Sequence, residues 1–500
     1  MLAEQIKDGV MAKNKPDYGT ISVCFIILYF AFEALFVTLL SQGAGLDDAE
    51  LASNISFWNW GYGGSQPPLY TWIAFGVEQL FGLHFYWLQI IKFGLLATTF
   101  LAVYLGLRLL HVRPVVAGAS MLAMFLLPQI GWESQRALTH SIMGTAGSAY
   151  TFLAFCFFAR KPSWGRAILL GLACATAILG KYNGTLFIVA LFGGTALTAE
   201  FRSTLKNRYF PVAILTTLIA IAPAFIYMFA HPASVVARAN KLAMGKTGNF
   251  FSDRLAGLAD FFVAGLGFVS VALIIALILA GLHTFSNAKV SQLTTRQENK
   301  VEHLLYHILL FGILLIIGLV IVLGITNVKD RWLQPLLFLA PAYFTLVLSR
   351  LCYSLKYVRA FGTTGAIAAL VVPFVLYLNI ATAYNRFDPP EQLFDYSKLD
   401  QQLRAAGPFS MVFARHPQLP GNLRLLDPSL KTIDIGAPFV AERLETPLMV
   451  LWSGNGKLPD DLRNVLEKAG LPTEGKSGQI EIGFGGGSDV KRIVSYLYLP

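Results

Sequence analysis

The sequence predicts a polytopic α-helical membrane protein with a small α/β domain at its C-terminal end, and three observations carry this reading. Of the 500 residues, 55% are hydrophobic and only 14% are charged, with a mean hydropathy of +0.57. A soluble chain of that length cannot hide so much apolar surface. The apolar residues gather into about eleven runs, measured against the roughly 20 residues that a helix needs to cross a bilayer. After Tyr384 these runs stop, and short β-rich segments alternate with polar and helical stretches.

In order, the runs lie near 20–40, 86–107, 114–130, 141–159, 166–180, 184–199, 210–229, 258–282, 304–325, 334–349 and 360–383. The 166–199 pair is the shortest for spanning. The first run is too long, and its preceding tail too polar, for a cleaved leader, so it reads as a retained anchor. With the N-terminus inside, the inner segments carry seventeen Lys and Arg and the outer ones eight. That bias predicts a cytoplasmic N-terminus, and an odd number of spans puts the C-terminal domain outside. The opening loop, 41–85, has no Lys or Arg, as an outer loop should.

The predicted boundaries are a membrane domain over 1–384 and an outer domain over 385–500. Strands are expected at Met411–Arg415, Asn422–Leu426, Thr432–Ile435, Leu448–Trp452, Gln479–Phe484 and Arg492–Leu499, with a helix at Pro459–Ala469. The net charge of +10 would suggest a nucleic-acid partner in a soluble domain. Here the charges sit in short loops between spans, where they encode orientation, and nucleic acid is not expected. Cys24, Cys156 and Cys174 lie inside apolar runs and Cys352 beside one. They read as core residues, giving neither a disulfide framework nor a metal site.

The opening loop concentrates the chemistry. It runs Asp47-Asp48-Ala49-Glu50, then Trp58, Trp60 and Gly61-Tyr62-Gly63-Gly64, then Gln66-Pro67-Pro68-Leu69. A short helix is expected from the acids onward, resting on the membrane through its Trp and Tyr side chains and stopped by the prolines. A carboxylate fixed there can take a proton from an acceptor hydroxyl. It can equally do no more than cap its helix, and the residues alone leave both open. Lys241, Lys246, Arg254, Lys181 and Arg331 are basic residues on the same predicted outer face, suited to a phosphate or another anion.

The pattern resembles the bacterial integral-membrane glycosyltransferases that use polyprenyl-phosphate sugars, a GT-C family that includes protein mannosyltransferase-like enzymes and transferases of aminoarabinose to lipid A. Asp47-Asp48-Ala49 stands where that family has Asp-Glu-Ala. Gln66-Pro67-Pro68-Leu69-Tyr70-Thr71-Trp72 matches its proline turn. Gly180-Lys181-Tyr182 and Arg331-Trp332-Leu333-Gln334-Pro335 supply further matches. The resemblance covers about 20–350 and implies a GT-C-like fold. It implies Asp47 as the base that activates the acceptor and Asp48 as a second acid that orients the acceptor or, in some relatives, helps hold a divalent metal. It also implies that Lys181 and Arg331 face the donor phosphate, with Tyr62 preceding the turn.

Two departures stand out. Gln66 replaces the family's His or Lys, losing a cationic contact. His140 stands where many relatives have Asp, and an imidazole does not simply replace a carboxylate, so a changed acceptor or sugar site is expected there; a helix-end histidine bonded to backbone is the equal alternative. The resemblance implies transfer from a polyprenyl-phosphate sugar to a lipid or glycolipid acceptor at the periplasmic face of the bacterial inner membrane. Lipid A or lipopolysaccharide core is the expected acceptor and galacturonate the first choice of sugar. A transporter of lipid-linked sugars and a protein O-mannosyltransferase are the alternatives. Gly245-Lys246-Thr247 lacks the upstream glycine of a P-loop, and Gly483-Phe484-Gly485-Gly486-Gly487 reads as a loop between strands.

Overall fold

The computed structural model describes residues 16–62, 66–231, 250–285, 295–352, 354–381, 387–454 and 456–500. Helix α1 (Tyr18–Leu40) begins where the Asp17 carboxylate accepts the Thr20 N–H at 2.7 Å. The opening loop then folds into two helices, α2 (Leu46–Asn54) and α3 (Leu69–Phe81). The apolar bundle continues with α4 (Phe85–Leu109), α5 (Pro114–Leu122), α6 (Thr139–Arg160), α7 (Trp164–Gly180), α8 (Gly184–Leu197), α9 (Phe210–Ala230) and α10 (Phe250–Phe285). It closes with α11 (Arg296–Leu323), α12 (Asp330–Leu337), α13 (Ala340–Leu351) and α14 (Leu355–Ala381). A Thr295–Glu298 capping box starts α11.

Each predicted run falls on one of these helices or on a bent pair. Among the described residues, seven helices are long and apolar enough to cross a membrane, or up to nine if each bent pair is one span. The helices α7 and α8 are shorter than that. The proline turn does not lead straight into a span: α3 intervenes, and the chain turns at Gly82 before α4.

The two bent pairs shape the middle of the bundle. Pro114–Leu126 and Gln129–Arg136 meet at 78°, and Asp330–Leu337 and Ala340–Leu351 at 52°. Broken helices leave polar groups that need partners within the protein. Here the breaks satisfy one another: Gln129 donates to the Asp330 carboxylate, and Gln334 Nε2 donates to Ser134 Oγ at 2.8 Å. Asn183 Nδ2 holds the Trp332 carbonyl at 2.7 Å, which ties the turn after α7 to the start of α12.

One end of the bundle is pinned by Arg113–Glu298 at 2.8 Å and Arg350–Glu302 at 3.0 Å. The opposite end carries α2, α3 and the C-terminal region. That region is a mixed five-stranded sheet of order β2-β1-β3-β5-β4. Its strands are β1 (Met411–Ala414), β2 (Lys431–Asp434), β3 (Leu448–Ser453), β4 (Lys476–Gly483) and β5 (Lys491–Leu499). Strands β2 and β3 flank β1 in parallel, and β5 runs antiparallel to β3 and β4. Side chains alternate between the faces. Val412, Ala414, Met449 and Leu451 pack against α15 (Tyr396–Ala406) and α16 (Gln418–Leu426), while Phe413, Val450 and Trp452 pack against α17 (Asp460–Lys468).

Asn422–Leu426, expected as a strand, is the second half of α16. Leu419 and Leu423, four apart, face the sheet core, a spacing that puts them on one side of a helix. The other side of α16 lies against α2, a burial that the short apolar stretch does not reveal by itself.

Candidate active site

The acids sit at the start of α2, and their surroundings come from four separate parts of the chain. Asp47 is half-buried, and its Oδ2 accepts the Leu138 N–H at 2.6 Å. Leu138 takes the left-handed conformation, φ 69° and ψ 38°, immediately before α6. Such a conformation costs a leucine energy, and here it aims an amide at the carboxylate. Oδ1 of Asp47 accepts no hydrogen bond among the described residues, so one oxygen is fixed and the other is available.

Asp48 is buried and accepts from Gln89 Nε2 at 3.2 Å, while its Oδ1 has no hydrogen-bond partner among the described residues. Gln89 and Lys92, one helical turn apart on α4, both lie inside the protein, Lys92 only 1% exposed. Burial raises the Asp48 carboxyl above its ordinary range, opposed first by the Lys92 ammonium and then by the Gln89 hydrogen bond. Lys92 was not singled out in the sequence; one lysine within an otherwise apolar helix gave no sign of its partner. Glu33 of α1 is also fully buried and lies within electrostatic range of Lys92.

Opposite the acids stands the basic side. Lys181 caps the end of α7 and donates to Ser141 Oγ on α6. Its approach depends on Gly144: a Cβ there would lie 2.5 Å from Lys181 Cβ. Burial, then the Arg331 guanidinium, pull the Lys181 ammonium down to about 7, and Asp47 opposes them. Arg331 is exposed at the first turn of α12. Arg331 and Asp47 thus both lie within electrostatic range of Lys181, although no ion pair closes between them among the described residues. Two cations held near one another suit an anion carrying more than one charge.

His140 is buried, its ring 5.5 Å from that of Tyr70, and its Nδ1 has no hydrogen-bond partner among the described residues. Gln66 is partly buried and makes no hydrogen bond among the described residues. Two predicted residues lie elsewhere. Arg254 stacks on Phe250 at 3.9 Å and donates to the Ile321 carbonyl at 3.2 Å. Tyr62 is buried beyond the far end of α2, where burial raises its hydroxyl to about 12. Lys241 and Lys246 lie outside the described residues. Among the described residues, no group of three or more His, Cys, Asp or Glu is placed to hold a metal ion.

The C-terminal region completes the support of α2. Asn422 Oδ1 accepts the Ala44 N–H at 2.7 Å, and Gln418 and Asn422 both donate to the Ala44 carbonyl, at 2.8 and 3.1 Å. Arg424, 5% exposed, donates to the Ala52 carbonyl at 2.6 Å and pairs with Glu78 of α3. Gly421 lies directly on α2, where a Cβ would come within 1.9 Å of the Ala49 carbonyl oxygen.

Comparison with known proteins agrees with this architecture. Residues 65–227 match the family described as dolichyl-phosphate-mannose-protein mannosyltransferase. The lipopolysaccharide core galacturonosyltransferase RgtB of Rhizobium johnstonii is 25% identical over 462 residues, covering 89% of this chain and 91% of its own. RgtA of the same organism, also a lipopolysaccharide core galacturonosyltransferase, is 25% identical over 465 residues, covering 89% and 90%. The crystal structure of ArnT from Cupriavidus metallidurans bound to undecaprenyl phosphate superimposes with a TM-score of 0.56 over 95% of this chain and 97% of ArnT, at 12% identity. Taken together, the fold and these likenesses show a multi-pass membrane protein with the fold of ArnT, similar along nearly its whole length to glycosyltransferases.

Proposed function

We propose that the protein transfers galacturonic acid from a polyprenyl-phosphate donor to lipopolysaccharide core or lipid A at the periplasmic face of the inner membrane, with its N-terminus in the cytoplasm. The observation that supports this reading is that Arg331 and Asp47 both lie within electrostatic range of the buried Lys181. Asp47, held through Oδ2, takes the proton of an acceptor hydroxyl on Oδ1. The acceptor oxygen attacks the anomeric carbon from the side opposite the phosphate, inverting it, and the sugar–phosphate bond breaks. Lys181 and Arg331 receive the developing phosphate charge, and Asp48 orients the acceptor or its neighbour. Residues 385–500 form the outer domain in this reading. The 25% identity to two core galacturonosyltransferases along nearly the whole chain supports the choice of sugar and acceptor.

The test uses purified protein with polyprenyl-phosphate galacturonate and a core-bearing lipid acceptor. Transfer is expected, and Asp47→Asn, which keeps the shape and the Leu138 contact, should lower kcat by about 10²-fold or more, the lower range for loss of a general base. Near-full activity in Asp47→Asn removes the base assignment. Transfer of another sugar, with none of galacturonate, removes the donor assignment while leaving the fold untouched.

A further inference from the structure

Beyond the far end of α2 lies a second feature that none of the steps above assigns. Among the described residues from 387 onward, Arg404, Arg415, Arg424, Arg463 and Arg492 each pair with a carboxylate. Arg443 does not. Its Nη2 donates to Asn59 Oδ1 at 2.6 Å, and its guanidinium rests 4.8 Å from the Phe57 ring centre and 5.7 Å from that of Phe439. Phe439 is held in the left-handed region at φ 57°, a conformation that needs a reason in a bulky residue. The neighbouring Tyr62 and Tyr227 act on it only electrostatically, as does the exposed Glu442 beside it in sequence. The charge is therefore partly desolvated, with no ion pair closed on it among the described residues and only the exposed Glu442 within electrostatic range, which leaves it able to take a further anion.

The surroundings indicate what that is. Asn59 is buried, and its carbonyl accepts the Trp72 indole N–H at 2.8 Å. Trp72 stacks with Trp58 at 5.4 Å and meets Trp60 edge-on at 5.7 Å. Trp58 and Trp60 remain 45% and 46% exposed. Amphipathic rings of this kind settle at a membrane interface. From Asp47 to Asn54 the helix rises about 10 Å, at 1.5 Å per residue, so the guanidinium is more than a single bond's reach from the reacting hydroxyl. An anion on the same acceptor, separated from that hydroxyl along a saccharide, can meet both.

We propose that Arg443, Asn59 and the Trp58–Trp60 surface form an acceptor subsite for an anionic group, a carboxylate or phosphate, carried by the saccharide of a membrane-anchored acceptor. Planar guanidinium groups bind either anion through paired hydrogen bonds. The inference rests on the transfer reading above and adds a second point of contact, which selects acidic saccharides over neutral ones.

The experiment compares a core-bearing lipopolysaccharide acceptor with the same acceptor after methyl esterification of its carboxylates and removal of its phosphates. Binding and transfer are both measured on full-length wild type, Arg443→Gln, Arg443→Lys and, as a control, Arg415→Gln. In wild type, neutralising the acceptor should weaken binding by about tenfold or more, as for loss of a charged hydrogen bond. In Arg443→Gln that difference should vanish, and Arg443→Lys should restore part of it, with the donor KM unchanged in both. A full difference surviving in Arg443→Gln, or none in wild type, overturns the subsite. Competition by phosphatidylglycerol vesicles with no effect of acceptor neutralisation assigns Arg443 to bulk lipid headgroups and overturns it as well. Binding is read separately from turnover, so a wild type that binds the acidic acceptor selectively but transfers no sugar counts against the transfer reading and not against the subsite. Unfolding temperatures equal to wild type show that the variants are folded.

Discussion

Asp47 owes its place to a backbone amide, and the residues around it divide their tasks by burial. Lys181 has an ammonium that loses its proton near neutrality, and this fixes a sign. Binding of a phosphate needs the charged form, which is present below about 7 and falls about tenfold per pH unit above it. The donor KM should therefore rise with pH above 7, and Lys181→Arg, which stays charged, should flatten that rise; initial rates between pH 6 and 9 check it. Lys92 acts through Asp48. Removing its charge in Lys92→Gln lets burial raise the Asp48 carboxyl further, since the first opposing influence is gone. The acid limb of kcat/KM should then move to higher pH, which pH profiles of wild type and variant check. An unmoved acid limb leaves Lys92 a packing residue only.

These residues were unequally legible. Asp47, Asp48, Lys181 and Arg331 stood out because polar groups at the ends of apolar runs follow a recognisable order. Gln89 and Lys92 did not, since their partner lies on α2, and a run-by-run reading has no means of pairing helices. The Leu138 amide carries no side-chain signature at all. Tyr62 and Arg254 shared the right loop composition yet face other neighbours.

At the scale of elements, the contact between α16 and α2 governs the acids. A helix with glycine at the crossing lets two backbones touch, and nothing larger fits where Gly421 meets Ala49. Gly421→Val should push the helices apart and shift the start of α2, lowering kcat by about 10²-fold, the cost of misplacing a catalytic group by an ångström. Arg424→Gln should act in the same direction by losing the Ala52 and Glu78 contacts. Activity assays with matched thermal unfolding separate misplacement from loss of fold. The sequence pattern hid this contact by making 422–426 look like a strand. The bent helices were hidden for a different reason: both breaks fall inside runs long enough to read as single spans, with Pro128 and Pro341 standing at the bends of 78° and 52°.

For the whole molecule, composition and periodicity conveyed the membrane bundle and the sheet region well, because each depends on local patterning. They conveyed nothing of how one rests on the other. A chain ending before residue 387 retains the helices of the bundle but loses every contact that α16 makes with α2. Such a truncation should insert in membranes yet transfer no sugar, with the 41–62 loop cleaved readily by added protease where the full chain resists. Protection of that loop in the truncated protein would show that the bundle alone orders it.

The bond between Ala44 and Asn422 joins residues 378 positions apart. Ribosomes add roughly 5–20 residues per second, so the first loop waits on the order of 20–80 s, at those rates, for its clamp to be made. Throughout that interval the acids are already exported from the ribosome but not yet aligned. If α16 is what aligns the acids, as the truncation tests, the enzyme stays silent until the α16 segment of the chain has been made.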